Sequence, residues 1–238
     1  MDELWPGGPV FRQVPGVFPL GTDALLLSDF ARGGDRERIL DLGTGSGILT
    51  LLLLWQRPGA TATALEQSET ACRAAEENLR ENGLLDRAEV ILGDLRDHRT
   101  LLPPGGADRA VCNPPYFDPN AGAVAAGERG QARSELGASI GEVCRAAAWA
   151  VRWGGALDLC YRPERLPELL SALGENGFSP KRLRPVHHSP GRPANLLLVE
   201  ARRGGKPGLK WEPDLYLRDE TGAETPEVRR IYHRKEQG

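Results

Sequence analysis

The run Arg38-Ile39-Leu40-Asp41-Leu42-Gly43-Thr44-Gly45-Ser46-Gly47-Ile48 carries the decision about the fold. An apolar stretch of strand length leads into three alternating glycines. An apolar segment of helical length, Ile48 to Trp55, follows. Glycines at such a junction let the backbone approach a ligand closely, and a helix starting there offers free N–H groups. Loops that bind the pyrophosphate of nicotinamide cofactors space their glycines G-x-G-x-x-G and aim the helix dipole at phosphate. Here the spacing is G-x-G-x-G, with Asp41 ahead of it on the strand. A carboxylate there repels pyrophosphate but accepts hydrogen bonds from an ammonium group. S-adenosylmethionine has an amino-acid end and no phosphate, so it is the cofactor this loop favours.

Outward from that loop the chain alternates. Thr61–Leu65, Ala88–Leu92 and Ala107–Cys112 read as strands. Ser68–Asn82 reads as a helix with Ser68 as its cap and Gly83 as its stop. Ile140, Val143, Cys144, Ala147 and Val151 form a helical stripe, opened by a capping box of Ser139 and Glu142. Ala156–Tyr161 is a strand, and Leu166, Leu169, Leu170 and Leu173 share another helix face. Lys181–His187 and Asn195–Ala201 are expected to close the sheet as an antiparallel hairpin. The expectation is an α/β, doubly wound, Rossmann-like sheet. Its domain spans residues 36–203, between an amino-terminal segment of residues 1–35 and a carboxyl-terminal tail of residues 204–238 packed on the domain surface.

Two further acids fall at matching places. Glu66 ends the second strand, where its two oxygens can take both hydroxyls of a ribose. Asp94 ends the third, where it can accept from an adenine amino group. With Asp41, three carboxylates stand at the carboxyl ends of three successive strands. The fourth strand ends in Asn113-Pro114-Pro115-Tyr116. Proline forces Asn113 into extended geometry and removes backbone donors, leaving acceptors in the pocket. The Asn113 side-chain oxygen and the Pro114 carbonyl can accept both hydrogens of a planar –NH₂. Holding them favours the pyramidal nitrogen that develops as the amine attacks a methyl sulfonium. Tyr116 supplies a face for stacking.

The 238 residues carry 30 Lys+Arg against 33 Asp+Glu, a net charge of −3. With 40% apolar and 26% charged residues, no long apolar run and no basic leader, a cytoplasmic globular protein is expected, not a membrane protein. Cys72, Cys112, Cys144 and Cys160 lack metal-ligand spacing and read as reduced core residues, so no metal is expected. Trp149, Trp153 and Trp211 read as packing residues. Adjacent His187 and His188 point to opposite faces of a strand and do not chelate together.

Together these residues resemble the class I S-adenosylmethionine-dependent amino-methyltransferases, most closely the bacterial tRNA(Val) adenine-N6-methyltransferase family, which modifies the purine 3′ of the anticodon. The resemblance rests on Phe18–Leu27, Asp41–Gly47, Glu66, Gly93-Asp94, Asn113–Phe117, Ala132–Glu135, Leu215–Asp219 and Glu227–Tyr232. It implies a seven-stranded sheet ending in the hairpin. The cofactor site so implied comprises Gly21, Thr22, Asp41, Gly43, Gly45, Gly47, Glu66, Gln67, Asp94, Leu95 and Asn113, with residues 1–35 capping the cofactor. The catalytic set is Asn113, Pro114, Pro115 and Tyr116. The chain departs from the family in carrying Ser134 where a histidine stands.

Asn-Pro-Pro-Tyr reads a planar –NH₂ and no particular base. Guanine N2 in rRNA, adenine in DNA and a protein glutamine amide also satisfy it, while a non-catalytic nucleotide-binding module has no use for it. DNA enzymes need a target-recognition domain, and glutamine methyltransferases carry a helical domain where only about forty residues precede Asp41 here. A folded RNA, most readily tRNA, fits a bare catalytic domain best. From Lys181 to Lys210 eight basic residues face one acid, Glu200. Lys181, Arg182, Arg184, Arg192, Arg202 and Arg203 of this hairpin, with Arg129 and Arg133, are the expected phosphate contacts around a flipped base.

Overall fold

The computed structural model describes residues 2–15, 17, 21–114 and 138–233. In chain order, β1 (Asp2–Glu3) and β2 (Val10–Phe11) pair antiparallel and lead to α1 (Thr22–Phe30). Next come β3 (Arg38–Leu42), α2 (Ile48–Gln56), β4 (Thr61–Glu66), α3 (Glu69–Glu81) and β5 (Ala88–Leu92). A short α4 (His98–Leu101) precedes β6 (Ala107–Cys112), and α5 (Ile140–Ala150) runs directly into β7 (Val151–Tyr161). Then follow α6 (Leu166–Glu175), β8 (Phe178–His187), β9 (Ala194–Arg203), β10 (Lys210–Trp211), β11 (Leu215–Tyr216) and α7 (Pro226–Ile231).

The sheet runs β10-β8-β9-β7-β6-β3-β4-β5, with β11 also on β8. β9 is antiparallel to both β7 and β8, and the other pairings are parallel. This is the doubly wound α/β sheet the alternation implies, closed by the hairpin. Its seven long strands are joined by two-residue strands β10 and β11, so the sheet has nine strands among the described residues. Both extra strands come from the carboxyl-terminal tail, expected to pack on the domain without joining its sheet. That segment also buries Leu215, Val228 and Ile231 in the core, making it part of the domain's packing.

Local chemistry explains the helices. Ser68 caps α3 by accepting from the Ala71 N–H, and Gly83 ends it at φ +66°. Ser139 and Glu142 form the capping box of α5. The apolar α2 buries Leu49 and Leu51–Leu54 on one face of the sheet. The other face packs Val143, Cys144 and Ala147 of α5 with Leu169 and Leu173 of α6. All four cysteines are buried and free of disulfides. Trp149 packs as expected, its Nε1 donating to the Leu102 carbonyl at 2.8 Å. Trp153 and Trp211 do not: they are 72% and 59% exposed, Trp153 near the start of β7 and Trp211 on the two-residue edge strand β10.

The amino-terminal segment is tied down at three places. Asn78 of α3 and Asn82 at its carboxyl cap each accept from and donate to backbone of the segment, at Arg12 and Val10, as a neighbouring strand would. At the carboxyl end of α1, three arginines capture successive carbonyls: Arg182 that of Phe30, Arg57 that of Ala31 and Arg109 that of Arg32. These side chains belong to a charged row beneath α1, in which Arg182 pairs with Glu200 and Glu212, and Arg109 with Asp158 and Glu37. Burial pushes the Asp158 carboxyl up to about 6 even beside Arg109.

Arg109 is 1% exposed and Asp158 fully buried. Arg109→Met removes the cation that keeps Asp158 ionised, so at neutral pH this buried carboxyl must stay unpaired or take up a proton, and stability is expected to fall toward the low end of about 3–5 kcal/mol. Chemical denaturation measures the loss. It shrinks at acid pH, where Asp158 takes up a proton and needs no partner.

Candidate functional site

A cavity of about 230 Å³ opens at the carboxyl ends of β3, β4, β5 and β6. Parallel strands with helices on both faces place their ligand crevice at this edge. The glycine loop between β3 and α2 forms one wall. Gly43, Gly45 and Gly47 all adopt positive φ, at +74°, +57° and +83°. A Cβ at Gly43 or Gly45 would meet open space, whereas one at Gly47 would come within 3.0 Å of Ala75. The first two shape the cavity. Gly47 instead permits close packing of α2 on α3 and does not line it.

Each pocket acid is already held by the protein. Asp41 is 1% exposed, and its Oδ2 accepts from the hydroxyls of Thr44 and Thr50 at 2.7 Å each. Burial pushes its carboxyl up to about 6, the two hydroxyls offsetting part of that. Glu66 spans two turns: Oε2 accepts from Gly45 N–H and Oε1 from Ser68 N–H, both at 2.9 Å. Each carboxylate oxygen can accept a second bond, so this tether orients Glu66 without using up its acceptors. Asp94 is clamped by the guanidinium of Arg96, whose bonds hold its pKa below the usual carboxylate range. Asn113 leaves β6 at the cavity, and its Oδ1 accepts from the Cys160 thiol at 2.9 Å.

The sequence matches the methyltransferase small domain over residues 10–137. This chain is a member of the methyltransferase small domain family. It is 31% identical over 215 residues to a protein named tRNA1(Val) (adenine(37)-N6)-methyltransferase from Tolumonas auensis, covering 87% of this chain and 85% of the relative. A relative of the same name from Shewanella sp. (strain MR-4) is 35% identical over 101 residues, and that match spans 42% of either chain. A crystal structure of a predicted O-methyltransferase from Agrobacterium tumefaciens shares the fold, with a TM-score of 0.74 at 24% identity. It covers 89% of this chain and 95% of the other. S-adenosylmethionine is the cofactor of this methyltransferase fold, and the cavity suits it: two glycines open into it, and three carboxylates stand at its strand ends.

Gly21, Asp41, Gly43, Gly45, Glu66, Gln67, Asp94, Leu95, Asn113 and Pro114 all line the methyltransferase cavity. Thr22 lies at the first turn of α1 with its hydroxyl on Asp23, and it does not line the cavity. Pro115, Tyr116, Arg129, Arg133 and Ser134 lie outside the described residues. Sequence reading missed Ala24, Ser68, Arg96, Cys112 and Val143 in the wall. Ser68 had carried a signal as a helix cap and Ala24 as part of the Phe18–Leu27 segment, but neither had pointed to the wall.

The basic hairpin divides differently from the expectation. Arg202 and Arg203 pair in register with Ser179 and Phe178 at the start of β8. Strand direction puts that end opposite the cavity. Lys181 reaches back to the Lys206 carbonyl, Arg182 serves the charged row, and Arg184 is paired with Glu227. The structure therefore does not gather these five around the pocket. Arg192, exposed in the β8–β9 turn, does lie at the cavity end of the sheet. His187 is held at the same turn by the Arg192 carbonyl at 2.7 Å and faces Asp214. No helix among the described residues is long and apolar enough to cross a membrane.

Asp41 gives the cofactor site a pH signature. A cationic ligand needs the ionised carboxylate, so cofactor affinity is expected to weaken as pH falls through about 6. Titration calorimetry of S-adenosylmethionine across that range reads the change, approaching about tenfold per pH unit at its acid end. Ligand-free stability moves the other way. The raised pKa means the folded state holds this proton longer than the unfolded one, so ionising Asp41 costs stability as pH rises through about 6. Asp41→Asn removes the affinity dependence and the Asp41 share of the stability dependence, leaving the share that belongs to Asp158.

Proposed function

We propose that this protein transfers a methyl group from S-adenosylmethionine to the exocyclic N6 of adenine in tRNA, next to the anticodon. The single observation that carries the reading is the placement of Asn113-Pro114 at the mouth of a cavity whose other wall is the Asp41–Gly45 loop. An amine acceptor and a methyl-donor site thus share one crevice. The name shared by the Tolumonas and Shewanella relatives supplies the substrate.

Asp41 would take the ammonium end of the cofactor, Glu66 its ribose and Asp94 its adenine. When bound, the cofactor supplies a methyl group made electrophilic by its sulfonium. The chain's own part concerns the acceptor. The amine is a poor nucleophile because its lone pair is delocalised into the ring. The Asn113 amide oxygen and the Pro114 carbonyl accept its two hydrogens and hold the nitrogen in line. Their dipoles strengthen these bonds as positive charge grows on nitrogen, which lowers the barrier selectively. The proton leaves after the methyl has moved, so no strong general base is needed. Tyr116 stacks on the flipped base, and Pro115 stiffens its approach.

Residues 1–35 cap the cofactor through Gly21 and Ala24 at the cavity wall. Arg192, and with it Arg129 and Arg133, are the phosphate contacts of this reading. Arg192→Ala is accordingly expected to weaken tRNA binding and to lower the salt slope by about one. The paired change of Arg202 and Arg203 to Ala, at the far end of the sheet, should leave that slope unchanged. Binding measured across a salt series compares the two.

Radiolabelled methyl transfer to total tRNA, followed by nucleoside mass spectrometry, tests the reading. N6-methyladenosine is the expected product. Methylguanosine, or label in protein glutamine, would overturn the substrate assignment. Asn113→Ala should lower turnover by at least about a thousandfold while calorimetric cofactor affinity stays within about threefold.

A further inference from the structure

We propose that Cys160 is a positioning residue for methyl transfer, its thiol setting the orientation of the Asn113 carboxamide. The proposal rests on the catalytic reading of Asn113 and deepens it. Cys160 lies in β7, the neighbour of β6, and it is fully buried. The last paired residues of the two strands are Cys112 and Leu159, so Asn113 and Cys160 come one step beyond that pairing. Their contact is the thiol donating to Asn113 Oδ1 at 2.9 Å.

Asn113 needs such a contact. It stands past the end of the ladder, and Pro114 after it has no N–H to extend the pairing. The amide's terminal torsion is broad and nearly two-fold, so backbone geometry alone does not choose which end faces the substrate. The choice matters because an amide –NH₂ turned toward an amine opposes donor to donor, whereas the oxygen accepts. An amide oxygen has two lone pairs. One can take the thiol proton and the other a substrate N–H, so the thiol selects the productive orientation without blocking it.

The thiol is itself held in place. Asp158, two residues before Cys160 on β7, points to the same face and is paired with Arg109 on β6. That buried pair fixes the two strands against each other one layer below the Cys160–Asn113 contact. Val111 and Leu198 of the apolar core pack on the same face. The thiol therefore meets its acceptor across a rigid junction.

Steady-state kinetics on tRNA with Cys160→Ala and Cys160→Ser test the proposal. Both variants lose volume in the core, so both are expected to melt earlier than the wild type. Only the alanine variant loses the donor. Its kcat should fall about tenfold, with KM for tRNA and calorimetric cofactor affinity within about twofold. The serine variant should recover kcat to within about threefold, despite its lowered melting temperature. Two results overturn the proposal: wild-type kcat in the alanine variant, or activity that follows melting temperature in both variants. Asn113→Ala is measured alongside. If it is inactive while Cys160→Ala is unimpaired, the positioning role alone fails; if it keeps activity, the catalytic reading fails and takes the positioning role with it.

Discussion

The capture of the α1 carboxyl end by three guanidinium groups is the constraint on which the site depends. A nine-residue helix is marginal in isolation, and Gly21 at its start provides no side-chain cap. Its last carbonyls would be orphaned in the interior, yet Arg182, Arg57 and Arg109 supply donors there and complement the negative end of the dipole. These arginines are near-buried, so each needs its own anion, and Glu200, Glu37 and Asp158 provide it. The charged row crosses β8, β9, β7 and β6, locking four strands in register beneath the helix. With its far end fixed, α1 delivers Gly21 and Ala24 to the cavity wall.

The same row takes up Arg182, which the charge pattern marks as an expected phosphate contact. Residues 1–120 carry 11 Lys+Arg against 18 Asp+Glu, and residues 121–238 carry 19 against 15. Division of the chain into an acidic and a basic half is real, but a linear count does not separate exposed arginines from those engaged in packing. Arg182 and Arg184 find their acids 18 and 43 residues away, at Glu200 and Glu227. Only folding brings those partners together. Arg192 has no comparable partner within its tight turn and keeps its exposure.

Legibility in the sequence follows the range of the interactions. The Asp41–Gly47 loop, Glu66 and Asp94 recur once per strand–helix unit, so local spacing places them at one edge of the sheet. The capping box at Ser139 and Glu142 and the cap at Ser68 are settled within four residues, and both are present. By contrast, Cys160 reaches Asn113 across 47 positions, and in sequence it is indistinguishable from three other apolar cysteines. Gly47 looked like a ligand glycine because its spacing continues the loop, whereas contact with Ala75 gives it a packing role. Trp153 and Trp211 looked like packing residues because tryptophan usually packs, but both stand mostly exposed, at the start of β7 and on the edge strand β10.

The pocket's polar groups share one property: each is held before a ligand arrives. Asp41 is fixed by Thr44 and Thr50, Glu66 by two backbone N–H groups, Asp94 by Arg96 and Asn113 by Cys160. Each bond restrains a rotamer that binding would otherwise have to freeze. The cost falls on the folded state, visibly at Asp41, whose burial raises its pKa to about 6. A cationic ligand relieves that cost by supplying the charge the carboxylate lacks. The site is thus least comfortable when empty, and the apolar core on both faces of the sheet provides the stability that tolerates it. The crevice therefore recognises charge and hydrogen-bond direction through groups already aimed, while α1 and its arginines keep the walls at a fixed spacing.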